Sequence, residues 1–223
     1  AAADEQALTL DDKRARTFAR RFADMHAEVA LGQYLDIAAE QTPLDPERSD
    51  VLNVSDALEV ALHKSAHYSV VHPAVLGAIC GAPTLDAGDA LTHSLEEILT
   101  PWGLAFQLRD DDLGVFGDPA VTGKPAGDDL REGKRTVLLA LTWEASSPAE
   151  RSALTEVLGV AEASPERLSA ATRIVEANGR APHEAEIARL VADGHAALEA
   201  SSFDDDARAM LRELCAILTA RRA

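Results

Sequence analysis

The segment Phe106-Gln-Leu-Arg-Asp-Asp-Asp-Leu-Gly-Val-Phe-Gly-Asp118 is the most informative part of this 223-residue sequence. Read as a helix, it places Gln107, Asp110 and Asp111 at positions i, i+3 and i+4, on one face. Adjacent carboxylates raise each other's pKa, so such a group is tolerated best beside a divalent cation. Mg²⁺ is commonly held by one or two carboxylates together with substrate phosphate oxygens, and the pattern therefore predicts a magnesium site at Asp110 and Asp111.

Two lysines follow this segment in polar, glycine-containing stretches. Lys124 lies in Thr122-Gly-Lys-Pro125, and Lys134 lies in Glu132-Gly-Lys-Arg-Thr136. The lysine ammonium group is a compact point charge that suits phosphate better than planar recognition of a carboxylate. Acids, a metal ion and lysines together predict a site for a diphosphate group.

Acidic runs also have an ordinary structural role, because aspartate caps helix N-termini. The triplet Asp204–Asp206 opens the last amphipathic segment without a lysine loop behind it, and we interpret it as such a cap. Asp11 and Asp12 are interpreted in the same way. The capping interpretation is weaker for the central acids, because the apolar stretch Pro101–Phe106 that precedes them is expected to be buried.

From Ala105 to Lys134 the sequence resembles the second aspartate-rich region of the trans-isoprenyl diphosphate synthases, the polyprenyl synthetases. Two upstream segments agree with this resemblance. Gly32-Gln-Tyr-Leu-Asp36 resembles the family's Gly-Gln-x-x-Asp helix, and Lys64-Ser-Ala-His-Tyr68 resembles its Lys-Thr-Ala-x-Tyr segment. Their order and spacing also fit, so the resemblance covers nearly the whole chain.

The resemblance implies an all-α, isoprenoid-synthase-like helical bundle around a central cavity. It implies a Mg²⁺-dependent prenyltransferase that condenses isopentenyl diphosphate with an allylic diphosphate, and it implies a homodimer. Carried over to this sequence, the metal ligands are Asp110 and Asp111, and they are catalytic together with Lys64 and Lys124. The residues that bind the diphosphate or line its pocket are Lys64, Gln107, Lys124, Lys134, Gln33 and Asp36.

Some family features are not found in the sequence. The first Asp-Asp-x-x-Asp motif is missing, and the fifth position of the second motif is Gly114 rather than aspartate. We therefore expect residues 1–223 to be the C-terminal portion of a single synthase domain, without its N-terminal helices. Two alternatives stay open, a noncatalytic subunit or truncated remnant of such a synthase, and a class I terpene synthase.

The composition favours the same class independently. Hydrophobic residues make up 47% of the chain and aromatic residues only 4%, which is typical of helices rich in alanine and leucine. A net charge of −17 argues against nucleic acid as a partner. We predict a cytoplasmic protein, because no stretch is apolar enough to span a bilayer and no signal peptide is evident. Cys80 and Cys215 are interpreted as buried free thiols.

Hydrophobic periodicity and breaks at proline, glycine and aspartate predict the helices. We expect them over residues 12–40, 54–80, 86–115, 135–145, 148–159, 165–178, 182–201 and 205–221, with a kink near Pro73.

His63 and His67 lie at i and i+4, the spacing of two zinc ligands on a helix. Lys64 stands where a zinc protease has its glutamate base, and no third ligand is apparent in the sequence. We therefore expect these histidines to pack or to lie near the diphosphate rather than to bind zinc.

Overall fold

A computed structural model describes residues 10–82, 85–123 and 125–220 of the protein. Helices account for most of these residues, and none of them forms a strand, which confirms the all-α fold. The helices are α1 (Asp12–Gln41), α2 (Val54–Ala61), a π-helical segment (Leu62–Val71), α3 (His72–Gly81), α4 (Leu85–Phe116), α5 (Pro119–Thr122), α6 (Asp128–Glu132), α7 (Val137–Ala145), α8 (Pro148–Thr155), α9 (Pro165–Asn178), α10 (Arg180–Ala200) and α11 (Asp205–Thr219). A 3₁₀ turn at Ser49–Val51 precedes α2.

Asp11 and Asp204 cap helices, as predicted. The Asp11 carboxylate accepts hydrogen bonds from the backbone N–H groups of Lys13 and Arg14, at 3.1 and 3.0 Å. The Asp204 carboxylate accepts one from the backbone N–H of Ala207 at 2.8 Å. These bonds satisfy N–H groups that have no partner within their helices.

The long helices agree with the predicted boundaries to within a few residues. The clearest difference is α8, which ends at Thr155 rather than at residue 159. The residues after it form turns, and Gly159 has a φ of +73°, a backbone conformation that a helix cannot contain.

The two cysteines are free thiols, as predicted, but they differ in burial. Cys215 of α11 is buried, whereas Cys80 is only partly buried. Cys80 lies next to the last residue of α3, where the helix reaches the edge of the apolar cluster that it packs against. The prediction that both thiols are buried is therefore wrong for Cys80.

The segment Leu62–Val71 is wound as a π-helix and joins α2 and α3 without a break, so that the three form one helix, called here the second helix. At the end of the π segment the backbone N–H of His72 donates to the carbonyl of His67, five residues earlier rather than four. Pro73 follows directly and has no N–H to donate, so the regular α ladder is interrupted at this point. Such π turns inside α-helices are often found at functional sites.

The π segment lies between α1 and α4 at very short range. A Cβ atom placed on Gly32 of α1 would lie 2.4 Å from the backbone nitrogen of Lys64 and 2.7 Å from the carbonyl carbon of His63. On the α4 side, a Cβ on Gly103 would lie 3.1 Å from the Cβ of Ala66. The two glycines therefore allow both helices to contact the π segment at its backbone.

Two buried apolar clusters stabilise the bundle, one around Trp143 and the other around Trp102. Both indole rings are fully buried, and each satisfies its N–H group with a backbone carbonyl. The Trp143 N–H donates to Arg48 at 2.9 Å, and the Trp102 N–H donates to Val191 at 3.2 Å. These bonds offset the cost of burying a polar group at the centre of each cluster.

We predict that Gly32→Ala destabilises the protein strongly, because the new methyl group meets backbone atoms that cannot rotate away. Overpacking of this kind typically costs about 1–3 kcal/mol, and backbone clashes lie at the upper end. Gly77→Ala in α3 is the matched control, since a Cβ there meets nothing within 4 Å and alanine favours a helix. Urea unfolding of both variants measures the difference, and equal stability of the two would contradict the close contact.

A buried histidine gives the fold a dependence on pH. The His183 ring is fully buried, and within the described structure neither of its nitrogens has a hydrogen-bond partner. Burial lowers the pKa of His183 from 6.5 to about 4, although the nearby Glu184 opposes this shift. The unfolded chain therefore takes up a proton on His183 between pH 6.5 and about 4, while the folded chain does not.

Because only the unfolded chain binds this proton, His183 lowers the free energy of unfolding as the pH falls from 6.5 to 4. The loss amounts to about 3 kcal/mol at pH 4. A leucine cannot be protonated, so the melting temperature of His183→Leu should fall less over this range than that of the wild type. His93→Gln is the control, because His93 is exposed. Parallel curves for wild type and His183→Leu would contradict a neutral His183.

Candidate active site

A polar cavity of about 210 Å³ lies where α1, the second helix, α4, α6 and the segment before α7 meet. It contains most of the site residues predicted from the sequence. Those that line it are Asp36, Lys64, Gln107, Asp110, Asp111 and Lys134, and they are joined by Asp129, Arg135 and Thr136.

Asp110 and Asp111 occupy the same cavity but differ in exposure. Asp110 is exposed, whereas Asp111 is only 5% exposed and accepts a hydrogen bond from the Gln107 amide at 2.8 Å. Burial, together with the neighbouring carboxylates of Asp129 and Asp110, raises the pKa of Asp111 to about 8. A divalent cation beside these acids would offset their repulsion and favour the ionised form of Asp111.

Asp112 points away from the cavity, as the helical spacing predicts. Its carboxylate is buried and lies 3.5 Å from Nε of Arg180 in α10. Burial raises the pKa of Asp112 even though Arg180 and Arg109 lower it. The three consecutive acids therefore divide between two environments, and only the first two face the cavity.

Lysines from two different parts of the chain reach the cavity. Lys64, from the π segment, forms an ion pair with Asp36 of α1. Lys134 forms ion pairs with Asp129 of α6 and, at 2.9 Å, with Glu132. Burial alone would lower the pKa of Lys134, but its hydrogen bonds to Asp129 and Glu132 raise it above its ordinary value. Both lysines therefore lie beside carboxylates that line the same cavity.

Gly114 lies directly beneath the side chain of Asp129, which leaves no room for a side chain at position 114. A Cβ on Gly114 would lie 1.9 Å from Oδ2 of Asp129 and 2.4 Å from its Cγ. The Asp129 carboxylate thus fills the space next to the position where the family pattern has its third acid. The pair that Asp129 forms with Lys134 fixes the lysine at the end of the loop that follows α4.

Two predicted site residues are not brought to the cavity by the described structure. Gln33 is exposed on α1 and does not line the cavity, although Asp36 of the same motif does. Lys124 lies outside the described residues. Conversely, Arg135 and Thr136 line the cavity without having been predicted as site residues, because nothing in their spacing distinguishes them from other neighbours of a lysine.

A second, more apolar cavity of about 460 Å³ adjoins the polar one. It is formed mainly by the end of α1 and the start of α2, and it shares Ala57, Val60 and Arg135 with the polar cavity. The site therefore combines a group of charged side chains with an apolar wall. Such a combination suits a ligand with a charged head and a hydrocarbon part.

Comparisons with known proteins identify the family of the chain. The profile of the polyprenyl synthetase family matches residues 5–175. The chain is 31% identical, over 99% of its length, to a (2E,6E)-farnesyl diphosphate synthase of Mycobacterium bovis and covers 59% of that protein. It is 32% identical, over 79% of its length, to a geranylfarnesyl diphosphate synthase of Aeropyrum pernix and covers 51% of it.

A solved structure shows the same fold. The geranylgeranyl pyrophosphate synthase from Corynebacterium glutamicum, complexed with isoprenyl diphosphate and magnesium, has a TM-score of 0.81 and 39% sequence identity. The match covers 96% of this chain and 57% of that one.

The chain belongs to the polyprenyl synthetase family. Its helical fold is that of the isoprenyl diphosphate synthases. It spans between half and three fifths of the length of the Aeropyrum and Mycobacterium synthases. Among its described residues, no helix is long and apolar enough to cross a bilayer.

We predict that Gly114→Ala destabilises the protein, because the methyl group displaces the Asp129 side chain and weakens its pair with Lys134. The clash involves a side chain, so Asp129→Ala should relieve most of the cost. A double-mutant cycle measured by urea unfolding tests this, with an expected coupling of about 1–3 kcal/mol between the two positions. Additive effects would show that Asp129 does not occupy the space above Gly114.

Proposed function

We propose that this chain carries the second aspartate-rich part of a Mg²⁺-dependent prenyltransferase, which condenses isopentenyl diphosphate with an allylic diphosphate. One observation carries the proposal: Asp110 and Asp111 share a single cavity with Lys64 and Lys134. The first pair can bind a metal ion and the second pair can bind a diphosphate.

The residues present fit magnesium. The available donors near Asp110 and Asp111 are carboxylate oxygens, which Mg²⁺ prefers, and the cavity leaves room for the waters that it retains. When bound, Mg²⁺ would neutralise charge on the diphosphate oxygens and favour its departure. The raised pKa of Asp111, about 8, supports the proposal because the acid gains most from a nearby cation.

The diphosphate would be held by groups from both sides of the cavity. Lys64 approaches from the π segment, and Lys134 and Arg135 approach from the segment before α7. Thr136 caps α7, so the positive end of that helix dipole also borders the cavity. Lys124 belongs to the same proposal on the strength of the family resemblance alone.

In the proposed reaction, the carbon–oxygen bond of the allylic diphosphate breaks and leaves an allylic cation and pyrophosphate. The double bond of isopentenyl diphosphate attacks that cation, and loss of a proton gives the longer allylic diphosphate. The role of Lys64 and Lys134 is to hold the charge of the departing pyrophosphate. The apolar wall beside the cavity would shield the cation from water.

The relatives support the substrate class. The three proteins named above are farnesyl, geranylfarnesyl and geranylgeranyl diphosphate synthases, and the Corynebacterium structure holds isoprenyl diphosphate and magnesium. We propose the same chemistry for the protein that contains this chain, acting in the cytoplasm as a homodimer. The part of such relatives that this chain does not cover, between two fifths and one half of their length, would supply the first aspartate-rich motif.

The test is an assay of the longest available form of the protein with labelled isopentenyl diphosphate and each allylic primer, with Mg²⁺ or with a chelator. We expect product only with Mg²⁺, and we expect Asp110→Ala to lower turnover at least about 100-fold, the usual cost of losing one stabilising group. Asp205→Ala is the matched control, because it removes an acid from the capping triplet. Undiminished turnover in Asp110→Ala would overturn the assignment.

A further inference from the structure

A group of side chains of the types that ligate metal ions lies outside the polar cavity. The Glu28 carboxylate of α1 is surrounded by three imidazoles of the second helix. Its Oε1 lies 2.6 Å from Nδ1 of His63 and 2.5 Å from Nδ1 of His67, and its Oε2 lies 2.6 Å from Nε2 of His72. Neither the condensation reaction nor the packing of apolar surface explains this convergence.

We infer that Glu28, His67 and His72 form a site for a zinc-type divalent cation, separate from the aspartate-rich site. One ligand atom from each of these three residues lies within 4.8 Å of the other two. Two histidines and one glutamate, with a water in the fourth position, are a common set of zinc ligands. Imidazole nitrogens favour zinc, nickel, cobalt and copper over magnesium, so the two sites select different ions.

The π segment is what brings the histidines together. In an α-helix each residue turns by about 100°, which would place His67 and His72, five residues apart, about 140° from each other. A π-helix bonds residue i to i+5 and turns by roughly 80° per residue, so residues five apart differ by only about 40°. The same winding brings His63, nine residues before His72, onto this face.

To accept the ion, the group needs a small shift of Glu28 and the loss of the protons that the facing imidazole nitrogens donate to its carboxylate. Zinc bonds of about 2.0–2.1 Å in a tetrahedron separate neighbouring ligand atoms by roughly 3.3 Å. The oxygen–nitrogen distances at Glu28 are now 2.5 and 2.6 Å, so the carboxylate has to withdraw by less than about 1 Å. The Glu28 side chain is 22% exposed, as is that of His67, which leaves it free to withdraw and leaves the ion a path from solvent.

His63 is assigned a supporting role rather than a place among the ligands. One of its nitrogens contacts Glu28, and the other lies 3.2 Å from Oε2 of Glu59. His63, held between the carboxylates of Glu28 and Glu59, would orient Glu28. Residues that contact a ligand without binding the ion commonly have this role in protein metal sites. Glu59 is largely exposed, and its contact within this group is with His63.

The new site is distinct from the cavity but is built on the same helix face. Glu28, Gly32 and Asp36 follow one another at four-residue spacing along α1, so Glu28 and Asp36 are about 12 Å apart along the helix. A bound ion would link α1 to the second helix one turn from the close contact at Gly32. The expected effect is an increase in stability on binding.

The first experiment is a titration of the metal-free protein with zinc sulfate by isothermal calorimetry. We expect one equivalent to bind with saturation, an excess of MgCl₂ not to displace it, and the melting temperature to rise. X-ray absorption of the zinc form needs no variant, and two nitrogen neighbours among the ligands are expected. Absence of saturable binding, or a shell made only of oxygen, would overturn the site.

Variants then identify the ligands. Loss of an outer group around a metal typically lowers the affinity about 10–100-fold, so His63→Ala should raise the Kd for zinc about 10-fold. Loss of a direct ligand should cost more, so His67→Ala and His72→Ala should each raise the Kd at least about 100-fold. His93→Ala is the matched control, because His93 faces Glu97 at 3.4 Å in an exposed i,i+4 pair. Asp110→Ala is the second control and should leave zinc affinity unchanged.

Melting curves of each variant without metal show whether it is folded, so that the loss of a ligand can be distinguished from unfolding. If a histidine-to-alanine variant is unfolded, the histidine-to-asparagine variant at the same position is used instead. Unchanged zinc affinity in folded His67 and His72 variants would refute the proposed ligand set. Loss of zinc binding in Asp110→Ala would instead show that the ion occupies the aspartate-rich site. Prenyltransferase activity does not enter either result, so the proposed function stands or falls separately.

Discussion

The backbone contact between α1 and the π segment at Gly32 determines the positions of the polar groups on this side of the molecule. With only a hydrogen at that position, the helices approach until a Cβ would lie 2.4 Å from the nitrogen of Lys64. One turn further along α1, Asp36 reaches Lys64, and one turn earlier Glu28 reaches the histidines. A wider separation between the two helices would take these polar groups out of reach of their present partners.

A second close contact organises the other side of the cavity. Asp129 of α6 lies directly over Gly114 of α4, and it holds Lys134 beside the buried Asp111. Burial and neighbouring acids raise the pKa of Asp111 to about 8, so without a cation this acid is only partly ionised at neutral pH. In the function proposed above, a cation and a diphosphate would satisfy these groups, and the two apolar clusters offset the cost in stability of burying them.

Much of this could be predicted from the sequence, because the signals were local. The helices follow from periodicity and caps, and the shared face of Gln107, Asp110 and Asp111 follows from α-helical spacing, which α4 keeps to its end. The group formed by Glu28, His67 and His72 could not be predicted in this way. In an α-helix, residues five apart such as His67 and His72 lie on different faces, and Glu28 comes from another helix. Gln33 is the opposite case, a residue that was predicted for the site but does not line it. It is exposed, because Glu28, Gly32 and Asp36, four residues apart, form the face of α1 toward the π segment.

At roughly 80° per residue, the ten residues of the π segment turn about 800°, as far as eight residues of an α-helix, so the π winding accommodates about two extra residues. If one of them were removed, for example by deleting Ser69, and the remaining nine took α geometry, they would turn about 900°. All side chains on one side of the deletion would then rotate by about 100° relative to those on the other. Lys64 could then not keep its pair with Asp36 while Val75 keeps its place in the cluster around Trp102. The partners at both ends of the second helix therefore do not allow its length to change by even one residue.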